Sequence, residues 1–581
     1  MDLKKYETLS PEEQTRVFHE APLKERGELL DHSHDPQRIV RSLSHEELYL
    51  TTREMDLDER AEILRYATLP QLFFVSDIDC WKKDRIDPDK FLVWLETLLQ
   101  AGDEKLLSWM LGLDAETLVA GMRKLAEVIK PEREYATDEL LGDTPYFTLD
   151  ENYFILVREE NLETVRRVFE ILFENQKGRY AALLESLMSE LEDELEEEAY
   201  RLREGRLGER GFPDVEIAHR IYRPISDEEF RDFPLKKNVK ERVWNEQPGP
   251  PRPAAPNYMT LWAGDRLFFD ELLTQLQSDP EEVREGLQEE LAWLSNKVIA
   301  CEGIDFSSEE RVRHGAERAR AYVSIGLEAL SGREPEAGLK LLRERWLEVL
   351  FRYGMTRAFR VRDEAAEIVR RWWHSKREDF LLFLNPPYEP IFRGLLKSIP
   401  EYYDGSSKAT EELRDYRSLE EIEKGGLAAR QVRLFHEAFE RAAPKFFREV
   451  LNEKRMEDFE PTLYWALGTL YGTFILDGKP GLRAFSKKDL LQLLQAGFSP
   501  KAGRRVIDPA KRGEFIRKIL KPDEAEALRP LLGLAFESLE EELGGLEISD
   551  AIDARFISAL QISQDSGPGP KPKTSARKRK R

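Results

Sequence analysis

A stretch of 34 residues near the N-terminus returns without a gap, and nothing else in the chain limits its fold as strongly. Leu9-Ser10-Pro11-Glu12-Glu13 comes back as Leu43-Ser44-His45-Glu46-Glu47. At the same offset Glu20 returns as Glu54, Leu23 as Leu57, Glu25-Arg26 as Glu59-Arg60, Glu28 as Glu62 and Leu30 as Leu64. Pro36-Gln37 and Ser42 return as Pro70-Gln71 and Ser76. A helical unit of this length cannot bury its apolar face alone, so such units stack on one another. Stacked helices present extended surfaces for partners more readily than enclosed catalytic pockets. Ser10 before Pro11, Glu12 and Glu13 is a favoured helix start, and Ser44 with Glu47 three residues on spells a capping box. Further helices are predicted from near Leu23 and Leu57, and from near Pro36 and Pro70. Arg26 and Arg60, placed among acids in both copies, read as scaffold.

With 581 residues the chain exceeds what one core organises. Charged residues make up 35% of it and the formal net charge is −23, which opposes general binding of nucleic acid or anionic membrane by the body of the protein. No apolar run approaches the roughly 18–20 residues a bilayer crossing needs. The first residues, Met1 to Glu7, lack the apolar core of a signal peptide. Cys80 and Cys301 are the only cysteines and have no second pair to hold zinc, so they read as ordinary thiols. The expectation is a cytoplasmic protein with no transmembrane segment and no cofactor.

Helix signals dominate the rest, giving an all-α, multi-domain, superhelical repeat architecture with one short β-hairpin. That hairpin is predicted from Tyr146 to Val157, turning at Asp150-Glu151-Asn152. A helix from about Leu162 to Glu174 follows, broken at Gly178. Tyr180, Leu183, Leu184, Leu187, Leu191, Leu195, Ala199 and Leu202 then predict one amphipathic helix of about seven turns. Five prolines between Pro248 and Pro256 mark an extended spacer. The domains expected are 1–130, 131–246, a linker over 247–257, 258–400, 401–564, and a disordered basic tail over 565–581. Between Lys479 and Lys521 twelve Lys or Arg stand against three acids, which reads as basic helices packed beside acidic ones. Trp372, Trp373, Phe380 and Phe383 read as core.

Chemistry-bearing constellations are sparse. No phosphate-binding Gly-rich loop, nucleophile elbow or zinc-binding His pair on a helix is present. Glu190, Glu194 and Glu198 share a helical face, but a di-metal site would also need Glu-x-x-His pairs, so no metal site is predicted. Arg201, Arg203, Arg206 and Arg210 follow, with Glu197 and Arg201 in the favourable i,i+4 order. Glu194, Glu198, Arg203, Arg206 and Arg210 are therefore the candidate ligand-binding residues. His32-Ser33-His34-Asp35 is a weaker cluster, read as surface decoration, and His436-Glu437 with Glu440 lies on one helix without a visible partner set. The terminal Arg577-Lys578-Arg579-Lys580-Arg581 run could attract a polyanion by counterion release.

The paired Leu-Ser-x-Glu-Glu and Leu-x-x-Glu-Arg-x-Glu-x-Leu elements, over residues 9–76, resemble the cytosolic superhelical domain of MgtE-type magnesium transporters. The transporter's membrane helices have no counterpart, so transport is not implied. More of the chain resembles an uncharacterised family of large cytosolic proteins from delta-class proteobacteria. The residues that carry this are Phe147-Thr148-Leu149-Asp150 with Tyr153, the run from Glu197 to Arg203, and Arg206-Leu207 with Arg210-Gly211-Phe212-Pro213-Asp214. Gly303-Ile304-Asp305-Phe306 and Gly326-Leu327-Glu328 agree with it. This resemblance implies extent, not chemistry, and carries over no functional residue. The function expected is a non-catalytic interaction or regulatory scaffold with a protein partner. Two other readings stand beside it: an enzyme or ligand or metal sensor built on residues 190–214, and an adaptor to nucleic acid or anionic membrane through the tail.

Overall fold

The computed structural model describes residues 3–563 apart from 22–24, 54, 132–143, 190–191, 210–211, 214–217, 237–266, 277–280, 302–308, 373–376, 406–412, 445–460, 502–503 and 547–556. The proline-rich spacer and the basic tail thus lie outside the described residues, as does Arg210. The chain divides into two compact units, residues 1–355 and 356–581. Both are built of helices with a few short strands, an all-α fold.

In the first unit six helices follow one another: α1 (Pro11–Glu20), α2 (Arg26–Asp31), α3 (Pro36–Ser42), α4 (His45–Thr52), α5 (Leu57–Tyr66) and α6 (Leu69–Asp79). Ser10 and Glu13 close a capping box at α1, and Ser44 and Glu47 close another at α4, each satisfying backbone N–H groups that a helix start leaves bare. Arg26 is buried, donating to the His19 and Ala21 carbonyls and to Thr51 Oγ1, with its guanidinium over the Phe18 ring. Arg60 pairs with Asp79 and lies over Trp94.

A two-residue hairpin, β1 (Trp81–Lys82) with β2 (Arg85–Ile86), leads to α7 (Pro88–Ala101), and α8 (Ala115–Arg123) leads to β3 (Ala126–Ile129). The hairpin expected near 146–157 forms as β4 (Tyr146–Phe147) and β5 (Phe154–Val157). Asp150 Oδ1 accepts the Asn152 and Tyr153 amides in its turn. β5 also pairs with β3, Val128 opposite Ile155, so residues before and after position 131 share one three-stranded antiparallel sheet. One apolar core runs from Tyr6 and the repeat-region helices through this sheet to Val312.

Two helix boundaries differ from expectation. α9 (Leu162–Asn175) ends at Gln176, whose backbone leaves helical geometry, and Gly178 lies inside α10 (Lys177–Ser189). The long amphipathic segment is described as α10 and a second helix, α11 (Glu192–Glu209). The first unit continues through α12 (Phe268–Gln275), α13 (Glu281–Cys301), α14 (Glu309–Ser331) and α15 (Pro335–Glu344). Gly332, at φ +62°, makes the turn between α14 and α15.

The second unit begins within α16 (Leu347–Trp372). It includes α17 (Tyr388–Leu395), β6 (Glu401–Tyr403) paired with β7 (Leu413–Asp415), and α18 (Leu419–Ala442). Then come α19 (Leu463–Asp477), α20 (Lys487–Gly497), β8 (Phe498–Lys501) paired with β9 (Arg504–Ile507), α21 (Pro509–Ile519) and α22 (Arg529–Leu543). α19 is buried along almost its whole length and forms the centre of this part. Phe380 and Phe383 are buried, as expected of core. Among the described residues no helix is long and apolar enough to cross a membrane.

Candidate functional site

Helix α11 sets where the sequence-predicted residues go. Leu195, Glu196, Ala199, Arg203 and Leu207 recur every three or four residues and are buried, so they form the inward stripe. Glu194 falls on the exposed side. Glu198 is half-buried and pairs with Arg201 at 2.6 Å, so Arg201 meets the acid three residues back, not Glu197. The structure brings Arg203 and Arg206 together against the repeat-region helices. Arg203 Nε donates to the Asp77 carbonyl at 2.7 Å, its Nη1 pairs with Glu204 at 2.8 Å, and its guanidinium lies over Trp81 and Tyr200. Arg206 grips the Asp77 carboxylate with two donors, at 2.9 and 2.6 Å, and pairs with Asp114 through a third. Burial pulls the Arg206 guanidinium down, but the Asp77, Asp114 and Glu209 carboxylates together outweigh it and raise it. For Arg203 burial prevails over the opposing Glu204 and Asp77 charges and pulls the guanidinium down. Both arginines thus fasten α11 to α6.

The weaker histidine clusters are also tied into local structure. His32 Nδ1 lies 2.6 Å from the Glu7 carboxylate and His34 Nε2 lies 2.7 Å from the Glu7 carbonyl. Among the described residues no group of three or more His, Cys, Asp or Glu is placed to hold a metal ion.

A different arrangement stands in the second unit, between the C-terminal half of α16 and α18. Val361 meets Gly426 at one end, where a side chain on Gly426 would come 3.4 Å from Val361 Cγ2. At the other end Arg371 and Glu437 border the same cavity. The two helices therefore run alongside in the same sense, with a cavity of ≈ 80 Å³ between them. Buried Ile368 and Ala429 make its floor. Glu364, Glu367 and Arg371 line one wall, and Arg430, Arg433 and Glu437 line the other. α16 thus brings two acids and one base to the cavity, and α18 two bases and one acid. None of these six side chains makes a hydrogen bond or ion pair among the described residues. Burial, with Arg371 adding to it, pulls the neighbouring His436 imidazole down to about 4, so it is neutral at pH 7.

Neither row stands out in the sequence; the signal it offers is the three-to-four spacing that Glu364-Glu367-Arg371 and Arg430-Arg433-Glu437 both keep. Such spacing is common on solvated helices, so only the pairing of the two rows marks a site. The chain matches a family of unknown function, DUF6178, over residues 3–563. It belongs to that family. The DUF6178 match takes in both rows of the groove and the α11 arginines, and stops before the basic tail. No curated protein and no solved structure matches the chain.

Proposed function

We propose that this DUF6178 protein is a non-catalytic interaction scaffold, docking a mixed-charge segment of a partner protein in the groove between α16 and α18. The observation that carries the reading is the pair of charge rows bordering one cavity over an apolar floor, with no hydrogen bond or ion pair to them among the described residues. A purely anionic ligand would be repelled by Glu364, Glu367 and Glu437, and a purely cationic one by the three arginines. A polypeptide face carrying acid on one side and base on the other satisfies both rows at once. The cavity is well below the roughly 300–1,000 Å³ of small-molecule pockets, which favours a segment lying along the groove over an enclosed metabolite. In this reading the helices between residues 11 and 79 form a superhelical repeat offering a second partner surface, and the protein works in the cytoplasm.

A ligand site at Glu194, Glu198, Arg203, Arg206 and Arg210 is less favoured, because Arg206 already spends three donors on Asp77 and Asp114. Adaptor action by Arg577 to Arg581 would rest on residues beyond the span matched by the family.

The test is a quantitative pull-down from nuclease-treated host extract, comparing the full chain with its Arg430→Glu/Arg433→Glu variant at equal thermal stability. A stoichiometric partner lost by at least tenfold in the variant supports groove docking. A partner held equally by both proteins, or recovery of the protein alone, overturns it.

A further inference from the structure

The basic stretch from Lys479 to Lys521 has only Asp489, Asp508 and Glu514 to balance its twelve cations. Each of the three acids is already engaged. Asp489 accepts from Ser486 and pairs with Arg483. Asp508 caps α21 by accepting the Ala510 and Lys511 amides. Glu514 pairs with Lys511. The side chains of Lys501, Arg504, Arg517 and Lys518 are exposed and make no hydrogen bond or ion pair among the described residues.

The β8–β9 hairpin holds two of them in place. Residues directly opposite in an antiparallel pair share a face, so Phe498 with Ile507 and Pro500 with Arg505 form one side, and Lys501 with Arg504 the other. Phe498 and Ile507 are buried. The Arg505 amide donates to the Gly544 carbonyl and the Ile507 amide to Glu540, which fasten the hairpin to α22 and the turn after it. The approach is close: a side chain on Gly544 would meet the Arg505 carbonyl at 2.3 Å. Lys501 and Arg504 are therefore like charges set directly opposite on a fixed support, an unfavourable pairing that an anion between them relieves.

From this hairpin the chain enters α21 at Asp508. Lys511, Glu514 and Lys518 recur at three- and four-residue intervals on its exposed side, with Arg517 beside Lys518 at its C-terminal end. The helix spans about 16 Å over its 11 residues. A single carboxylate cannot reach both the hairpin and Arg517-Lys518, whereas a chain of regularly spaced phosphates can. The net charge of −23 does not forbid this. At physiological ionic strength charges more than about 8 Å away are largely screened, so the local patch governs the contact.

We propose that the outer face of the β8–β9 hairpin and the exposed side of α21 bind the phosphodiester backbone of a nucleic acid without reading its bases. The test uses the full-length protein and fluorescence anisotropy with labelled oligouridylate and oligothymidylate of equal length. The expected result is similar affinity for the two, falling as salt rises. Lys501→Glu/Arg504→Glu should weaken binding at least tenfold. The neutral Lys501→Gln/Arg504→Gln variant should flatten the logarithmic salt slope by about 1.4, the contribution of two phosphate contacts on a single strand. Circular dichroism and melting temperature of both variants should match the parent. Binding unchanged in both variants overturns the proposal. So does binding lost only when Arg577 to Arg581 are replaced by alanine, which assigns it to the tail. Failure of either oligonucleotide to bind, with capture of an oligoglutamate peptide instead, assigns the face to an acidic protein.

Discussion

At the scale of single residues, the structure separates charges that fasten the fold from charges left open. Arg203 and Arg206 stand in a sequence so rich in acid and base that their spacing on α11 is legible, but their partners are not. Asp77 lies 129 residues from Arg206 and Asp114 lies 92 away, a separation no local pattern encodes. Glu46 was legible only as part of a helix start, one residue before the capping glutamate. It is buried, with Asn296 of α13 donating to it at 3.3 Å, Ser44 and Glu47 beside it. Burial raises its carboxyl above the ordinary value of 4.5, the Ser44 and Asn296 hydrogen bonds oppose the rise, and the Glu47 charge adds to it. The folded state thus holds a proton that the unfolded chain releases earlier. The stabilisation this gives is complete below 4.5 and is lost as pH climbs through the raised folded value. Each tenfold difference in proton affinity is worth about 1.4 kcal/mol. Glu46→Gln keeps the shape and removes the ionisation. Its melting temperature should exceed the parent's near pH 8, with the difference shrinking toward pH 5. A variant less stable than the parent at pH 8 would show that Glu46 is ionised and satisfied.

At the scale of elements, helix starts are what the sequence states most openly. Ser10, Asp35, Ser44, Ser226, Ser418 and Ser486 each sit one residue before a helix and accept a backbone amide from its first turn. Short strands are much less legible. β8 is Phe-Ser-Pro-Lys and carries a proline, and β1 and β2 have two residues each, too few to show alternation. Helix crossings are hidden in the same way, because a glycine reads as a break until its neighbour is known. Gly178 lies inside α10 with open space around it, while Gly326 of α14 meets the backbone of α16. A side chain on Gly326 would lie 2.1 Å from the Leu350 carbonyl oxygen, and one on Gly354 would lie 2.1 Å from the Tyr322 oxygen. Backbone cannot move aside as a flexible side chain can. Gly326→Ala should destabilise the protein by about 1–3 kcal/mol or more, and Gly178→Ala should stabilise it by about 0.4–1 kcal/mol. Urea unfolding of the two variants checks the pair, and equal effects would mean that α14 and α16 do not cross at these glycines.

At the scale of the whole molecule, the balance of charge couples stability to binding. Composition alone gives the net charge of −23, but not which charges are spent. The structure shows many of them in pairs, among them Arg206 with Asp77, Lys124 with Glu196 and Arg441 with Glu524, all with a buried acid. Buried pairs of this kind feel added salt only weakly, whereas the surplus of exposed acids repels across the surface and is screened readily. Raising ionic strength from 0.01 to 0.15 M shortens the screening length from about 30 to about 8 Å. The melting temperature at pH 7 should therefore rise over that range. Binding at the α16–α18 groove and at the β8–β9 face should weaken over the same range, since both depend on exposed, unpaired charge. Thermal scans and binding curves in one salt series follow the two trends together. A melting temperature that falls with salt would mean that exposed attractive pairs outweigh the repulsion, and the open rows of the groove would then be the exception on a surface otherwise matched in charge.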